Sequence, residues 1–163
     1  MTTIAIKDGV VAVDTQATGG SYAFRIQKIA RLPDGGVAAM AGSAAEGYAA
    51  LRWLVDGEKG DGPDIAGSVI LIVRPDKTIW VADSQWPAFP ILDDSYTTGC
   101  GQDLARSALA RGSGPVEAVA EACEMDAFSS GPIMSMTVYP PRGDGLEVYE
   151  VTKAAGRKRK AKR

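Results

Sequence analysis

Four times along the chain a pair of short β-prone runs is interrupted by a turn signal, and this recurrence restricts the possible folds more than any other feature. Thr3 to Lys7 and Val10 to Asp14 flank Asp8-Gly9, a dipeptide whose backbone suits a two-residue hairpin. Arg25 to Leu32 and Val37 to Ala41 flank Pro33-Asp34-Gly35-Gly36, and Ser68 to Val73 and Thr78 to Ala82 flank Pro75-Asp76-Lys77. The last pair, Met134 to Tyr139 and Leu146 to Val151, flanks Arg142-Gly143-Asp144-Gly145. Connections this short join antiparallel neighbours, which excludes the crossovers of a doubly wound parallel sheet.

Three helices are expected between these hairpins. Ser43-Ala44-Ala45-Glu46 has the spelling of a capping box, and Ala44, Tyr48, Leu51 and Val55 then fall on one face at helical spacing. Leu104, Ala105, Ala108 and Leu109 form a second apolar stripe that ends at Gly112. Pro115 suits a first helical residue, with Val116, Val119, Ala120 and Cys123 facing inward. The segment from Gly57 to Gly67 reads as a loop. An α+β fold is therefore expected, with two antiparallel sheets face to face and helices outside. At 163 residues, 45% of them apolar, the chain is long enough for one such domain without disulfides or metal.

Composition narrows the chemistry sharply. The chain has no histidine, which removes Ser-His-Asp and Cys-His mechanisms together with the commonest metal ligand. Cys100 and Cys123 are too few for a structural zinc or iron-sulfur site and build no disulfide framework, so no metal or cofactor is expected and a reducing cytoplasm is. The opening residues lack the pattern of a secretory signal, and no run approaches a membrane span. Residues 153–163 hold seven of the 18 Lys and Arg and no acid, so residues 1–152 carry 11 basic against 20 acidic side chains. The expected division is a folded body, 1–152, and a solvated basic tail, 153–163. The tail could touch nucleic acid, but it has no aromatic residue for base stacking and no reading element.

Without histidine a hydrolase needs another base, and a chain's own α-amine, with a pKa near about 8, can serve at neutral pH. Thr2 follows Met1, and an initiator methionine is trimmed when a small residue follows it. A terminal threonine would carry nucleophile and base on one residue. Thr2-Thr3-Ile4-Ala5, Asp8-Gly9 and Val10-Val11-Ala12-Val13-Asp14-Thr15-Gln16-Ala17-Thr18 resemble the opening of proteasome β-subunits and the bacterial HslV peptidase, members of the N-terminal nucleophile hydrolases. Gln27-Lys28-Ile29, Met40-Ala41-Gly42-Ser43-Ala44-Ala45-Glu46, Thr97-Thr98-Gly99-Cys100-Gly101 and Asp126-Ala127-Phe128-Ser129-Ser130-Gly131 continue the resemblance, in order, through about residue 151.

The resemblance implies a four-layer αββα sandwich and a threonine peptidase working through an acyl-enzyme. It makes Thr2 the nucleophile, with Lys28 beside it and Asp14 holding Lys28. Gly42 would offer its N–H to the oxyanion at the entry of a helix, and Asp126, Ser129 and Cys100 would orient the α-amine. Ala17, Ile26, Ala30, Met40, Ala44 and Tyr48 match the primary specificity pocket and imply an apolar residue before the scissile bond. The resemblance further implies homo-oligomeric rings, unfolded protein or peptide as substrate, an ATP-dependent unfoldase as possible partner, and a cytoplasmic setting in a bacterium or its virus.

Two departures keep alternatives open. Cys100 stands where the family usually has serine, and a thiol is the poorer donor and acceptor. The family also has a helix between the first helix and the Ser68 strand, where this chain has about ten glycine-rich residues. A catalytically silent ring or adaptor, an amidase acting on a small amide, and a module binding nucleic acid through the basic tail are the competing readings.

Overall fold

The computed structural model describes residues 1–138 and 145–151, and the backbone of 159–160. The chain forms β1 (Thr3–Lys7), β2 (Val10–Val13), β3 (Gln16–Gly19), β4 (Tyr22–Arg25), β5 (Ile29–Arg31) and β6 (Val37–Gly42), followed by α1 (Ala44–Val55). Next come β7 (Ser68–Val73), β8 (Ile79–Asp83), β9 (Phe89–Ile91) and β10 (Ser95–Gly99), then α2 (Gln102–Ala110) and α3 (Pro115–Met125). The last strands are β11 (Ile133–Thr137), β12 (Glu147–Glu150) and β13 (Arg159–Lys160). All ladders are antiparallel: a six-stranded sheet in the order β10-β1-β2-β11-β12-β13, a five-stranded sheet β5-β6-β7-β8-β9, and the hairpin β3-β4. The molecule is thus α+β with several antiparallel sheets, as the turn pattern implied.

Alternation along β1 and β2 assigns their two faces. Ile4, Ile6, Val11 and Val13 pack with Val37, Ala39, Leu71, Val73 and Val81 of the five-stranded sheet. Ala5 and Ala12, pointing the other way, meet Ala105 and Ala108 of α2 and Ala118, Val119 and Ala122 of α3. Alanines on both sides of that contact let the helices lie close to the strands. A third cluster joins Leu51 and Leu54 of α1 to Ala38, Met40, Ile70 and Ile72. Each fully buried isoleucine in these clusters contributes about 1.5–3 kcal/mol by leaving water.

Several local expectations hold. Asp8 and Gly9 both take positive φ, 52° and 77°, the geometry of a two-residue hairpin turn. Pro115 starts α3, and α2 gives way to Gly112 at φ 94°. The hairpins β5-β6, β7-β8 and β11-β12 form where predicted, the tip 142–144 lying outside the described residues.

Others need correction. Arg25 to Leu32 is not one strand: β4 ends at Arg25, Ile26 N–H binds Thr15 O, and pairing resumes at Ile29. The hairpin β3-β4 and the strands β9 and β10 were not expected. The inward face of α1 is Gly47, Ala50, Leu51 and Leu54, not Ala44, Tyr48, Leu51 and Val55. Gly47 decides this rotation, because a Cβ there would stand 2.5 Å from Met40 Sδ, so the helix packs backbone-close on β6. Tyr48 is left 44% exposed, its hydroxyl donating to Gln27 O at 2.5 Å. Ser43 occupies the N-cap position without a side-chain capping bond.

Between α1 and β7 there is no helix. This segment is held by Trp86 Nε1 on Pro63 O (2.9 Å) and Trp53 Nε1 on Lys59 O (3.1 Å), the two indoles 4.9 Å apart. Of the basic segment 153–163, the backbone of β13 pairs with β12. The solvated tail expected there otherwise lies outside the described residues. Among the described residues, no helix is long and apolar enough to cross a membrane, and no group of three or more Cys, Asp or Glu could hold a metal ion.

Candidate active site

Lys28, on the stretch between β4 and β5, is 2% exposed, and its ammonium is enclosed by acceptors. Nζ donates to Asp14 Oδ1 (2.9 Å), Gln16 O (2.5 Å) and Met1 O (3.0 Å). Asp14, at the end of β2, is completely buried. Besides Lys28 its carboxylate accepts the N–H of Thr3 (2.9 Å), Gln16 (3.0 Å) and Ser130 (3.3 Å). Burial pushes the Asp14 carboxyl above the usual carboxylate range, against the pull of Lys28 and of the Thr3 and Gln16 amides. Burial likewise pushes the Lys28 ammonium down, against the pull of Asp14. The hydrogen-bond count decides for the charged pair: four donors face a carboxylate that has only acceptors, and three acceptors match the three hydrogens of an ammonium.

A second chain of hydrogen bonds lies on the α3 side of the terminus. Gly101 N–H donates to Thr3 Oγ1 (3.0 Å), Thr3 Oγ1 and Ser129 Oγ are 2.6 Å apart, and Ser129 Oγ donates to Asp126 Oδ2 (2.6 Å). Thr3 therefore donates to Ser129, and every proton runs toward Asp126. Burial pushes the Asp126 carboxyl up, but hydrogen bonds from Ser129 Oγ and from the Phe128 N–H help outweigh it and hold the carboxyl below its usual range. Cys100 donates its backbone N–H to Thr2 O (2.8 Å) and its thiol to the same oxygen (3.3 Å), with Ser129 Oγ 3.6 Å away. Burial, then Asp126, pushes the Cys100 thiol up, so the sulfur stays protonated at neutral pH.

Gly42 ends β6 with φ 98°, in front of the N-terminus of α1. A Cβ there would stand 2.2 Å from Gly67 O and 2.9 Å from Ser68 Cα, so only glycine fits.

Thr2, 3% exposed, and Gly42 together border two cavities. One, of about 230 Å³, is walled by Ala17, Phe24, Ile26, Met40 and Ala44. The other, of about 380 Å³, lies toward Ala66, Val69, Ser84 and Cys100. Of the thirteen residues singled out from sequence, Thr2, Asp14, Lys28, Gly42, Cys100, Asp126 and Ser129 are joined by these bonds and cavities, and Ala17, Ile26, Met40 and Ala44 line the smaller cavity. Ala30 and Tyr48 do not line it: Ala30 packs in the α1 cluster, and Tyr48 is turned to Gln27. Sequence reasoning missed Thr3, which joins the two networks, Gln16 and Ser130, which complete the bonds around Asp14 and Lys28, and Phe24 of the unexpected β4. Ser130 Oγ donates to Gln16 Oε1 at 2.5 Å. Thr3 and Ser130 each adjoin a residue singled out, and that adjacency was the available signal.

No family model and no curated protein matches the sequence. Among solved structures, the fold is similar to that of Thiobacillus denitrificans BPH in complex with epoxomicin, with a TM-score of 0.60 and 20% identity. That likeness covers 85% of this chain and 99% of the other.

Proposed function

We propose that the chain is a threonine peptidase of the N-terminal nucleophile type, an αββα sandwich whose reactive residue is Thr2 after loss of Met1. The observation that carries this reading is the Lys28 ammonium on the Met1 carbonyl, 3.0 Å away, in a site closed by Asp14. That carbonyl is bonded to Thr2 N, so trimming deletes one of Lys28's three acceptors beside the new α-amine. The neighbouring cation disfavours protonation of that amine and keeps it available as a base.

In this mechanism Thr2 Oγ1 attacks the substrate carbonyl carbon while its proton passes to the α-amine, directly or through water. The negative charge gathers on the former carbonyl oxygen, where the Gly42 N–H is the assigned donor. Collapse expels the leaving amine, which takes the proton, and leaves an ester on Thr2 that water hydrolyses with the same amine as base. Ser129 and Asp126, held by Thr3, orient the amine, and Cys100 fixes the Thr2 carbonyl. The cavity walled by Ala17, Ile26, Met40 and Ala44 has no acidic side chain and suits an apolar residue before the scissile bond. The structural neighbour is a complex with epoxomicin. A homo-oligomeric ring acting on peptide or unfolded protein, with an unfoldase, completes the reading.

Cys100 favours a second reading, a silent ring or adaptor, because a thiol is a poorer hydrogen-bond donor and acceptor than a serine hydroxyl and so gives a weaker relay. Fluorogenic peptides separate the two. Chain shown by intact mass to begin at Thr2 is expected to cleave after apolar residues, and Thr2→Ala to be inactive at an unchanged thermal midpoint. No turnover by the trimmed chain supports silence, and cleavage only after basic residues contradicts the assigned pocket.

A further inference from the structure

Glu46 has the spacing of a capping-box acid, yet it does not serve its own helix. Its Oε2 accepts Gly67 N–H at 2.7 Å and Ser68 Oγ at 3.1 Å, reaching from the first turn of α1 to the start of β7. The same two segments are joined again by Ser43 N–H on Gly67 O (2.9 Å) and Ser68 Oγ near Ser43 O (3.2 Å). Gly67 O is also the atom nearest to where a Gly42 Cβ would stand. The Gly42-Ser43 corner is thus clamped against Gly67-Ser68, with Glu46 supplying the one side-chain anion of the clamp. The clamped segment follows the glycine-rich stretch from residue 57, which has no helix of its own to hold it.

We infer that Glu46 is a positioning residue for the reaction proposed above, holding Gly67 and Ser68 so that the Gly42 N–H stays aimed at the oxyanion. The inference rests on that reading. Glu46 touches no reacting atom; it acts through Gly67 on the backbone of Gly42. A carboxylate receiving a backbone N–H and a hydroxyl on one oxygen forms charge-assisted bonds, stronger than neutral ones. Without it the first residues of β7 keep the ladder with β6 and the neutral bonds to Ser43, Ile65 and Ser84 but lose their one charged anchor, and the glycine corner, at positive φ, is held less tightly. A donor displaced from the oxyanion lowers the chemical step and leaves substrate binding almost untouched.

The test compares trimmed wild type, Glu46→Ala and Glu46→Gln on one fluorogenic peptide, together with a peptide aldehyde and the matching peptide alcohol as inhibitors. The aldehyde forms a hemiacetal oxyanion on Thr2; the alcohol only fills the cavity. Glu46→Ala is expected to lower kcat about 10- to 100-fold at a KM within twofold. It is expected to weaken the aldehyde by a similar factor and the alcohol not at all. Glu46→Gln, whose amide oxygen can accept both bonds, is expected to restore most of the loss. If Glu46→Ala proves too unstable to assay, Ser68→Ala, which removes one of the two bonds, carries the comparison with an expected smaller fall in kcat. Equal losses of aldehyde and alcohol affinity, unchanged kcat in the alanine variants, or Glu46→Gln no better than Glu46→Ala would overturn the inference. An inactive trimmed wild type would instead overturn the proposed reaction.

Discussion

Lys28→Met keeps an unbranched side chain of similar length in a nearly closed site while deleting the cation that neutralises Asp14. Asp14 is 0% exposed and its ion-pair partner 2% exposed, so the carboxylate stays shielded from bulk water when the ammonium is lost. The carboxylate keeps the N–H groups of Thr3, Gln16 and Ser130 but holds a buried, unpaired charge. Breaking such a pair from one side costs about 3–5 kcal/mol, a large share of the roughly 5–15 kcal/mol that holds a domain folded. The dependence on pH follows from the direction of the Asp14 shift. Its folded pKa is already raised by burial, and loss of Lys28 raises it further above the unfolded value of about 3.9. A carboxyl raised on folding stabilises fully below its unfolded pKa and loses that contribution as pH rises through its folded pKa. The deficit of Lys28→Met relative to wild type is therefore smaller near pH 4 than at pH 7. Urea titrations of both proteins at the two pH values read it from the midpoint at constant m. A deficit under about 1 kcal/mol at pH 7, or one equal at both pH values, would refute the charged-pair assignment.

Gly42→Ala places a methyl 2.2 Å from Gly67 O at φ 98°; a cost of about 1–3 kcal/mol and a fall in turnover of at least 100-fold are expected from thermal melts and peptide assays. Cys100→Ser gives Thr2 O and Ser129 a stronger hydroxyl partner, so turnover is expected to rise a few-fold, and a fall would show that the thiol is adapted to this site. Thr3→Val strips Gly101 N–H of its acceptor and Ser129 Oγ of a neighbour in a buried position. A loss of about 1–3 kcal/mol in chemical denaturation is expected, and a change within about 0.5 kcal/mol would contradict the proton chain from Thr3 to Asp126.

Much of the fold was legible where local chemistry dictates backbone shape. Asp8-Gly9, Pro115 and Gly112 each ask for a conformation few other residues adopt, and each sits where that conformation occurs. The strands that escaped notice lack that signature. β10, Ser95–Gly99, is mostly polar and owes its place to the ladder with β1, while β4 is exposed throughout. The α1 face was misjudged because Tyr48 and Val55 scored as apolar, whereas the helix seats itself through Gly47, whose value is the absence of a side chain. In the candidate site, which the fold gathers around one cavity and one ion pair, Thr2, Lys28 and Asp14 were singled out from the order of motifs. Glu46 and Thr3 were not, because their partners lie 21 and 126 residues away and only the folded chain brings them together.

The central claim is that a terminal threonine carries both nucleophile and base. Incubating the Met1-trimmed protein with an epoxyketone and mapping the adduct by mass spectrometry tests it most directly. The account predicts one adduct, on the peptide beginning at Thr2 and joined through both its hydroxyl and its amine, absent from Thr2→Ala. An adduct on Cys100, or no adduct on chain that begins at Thr2, would contradict it.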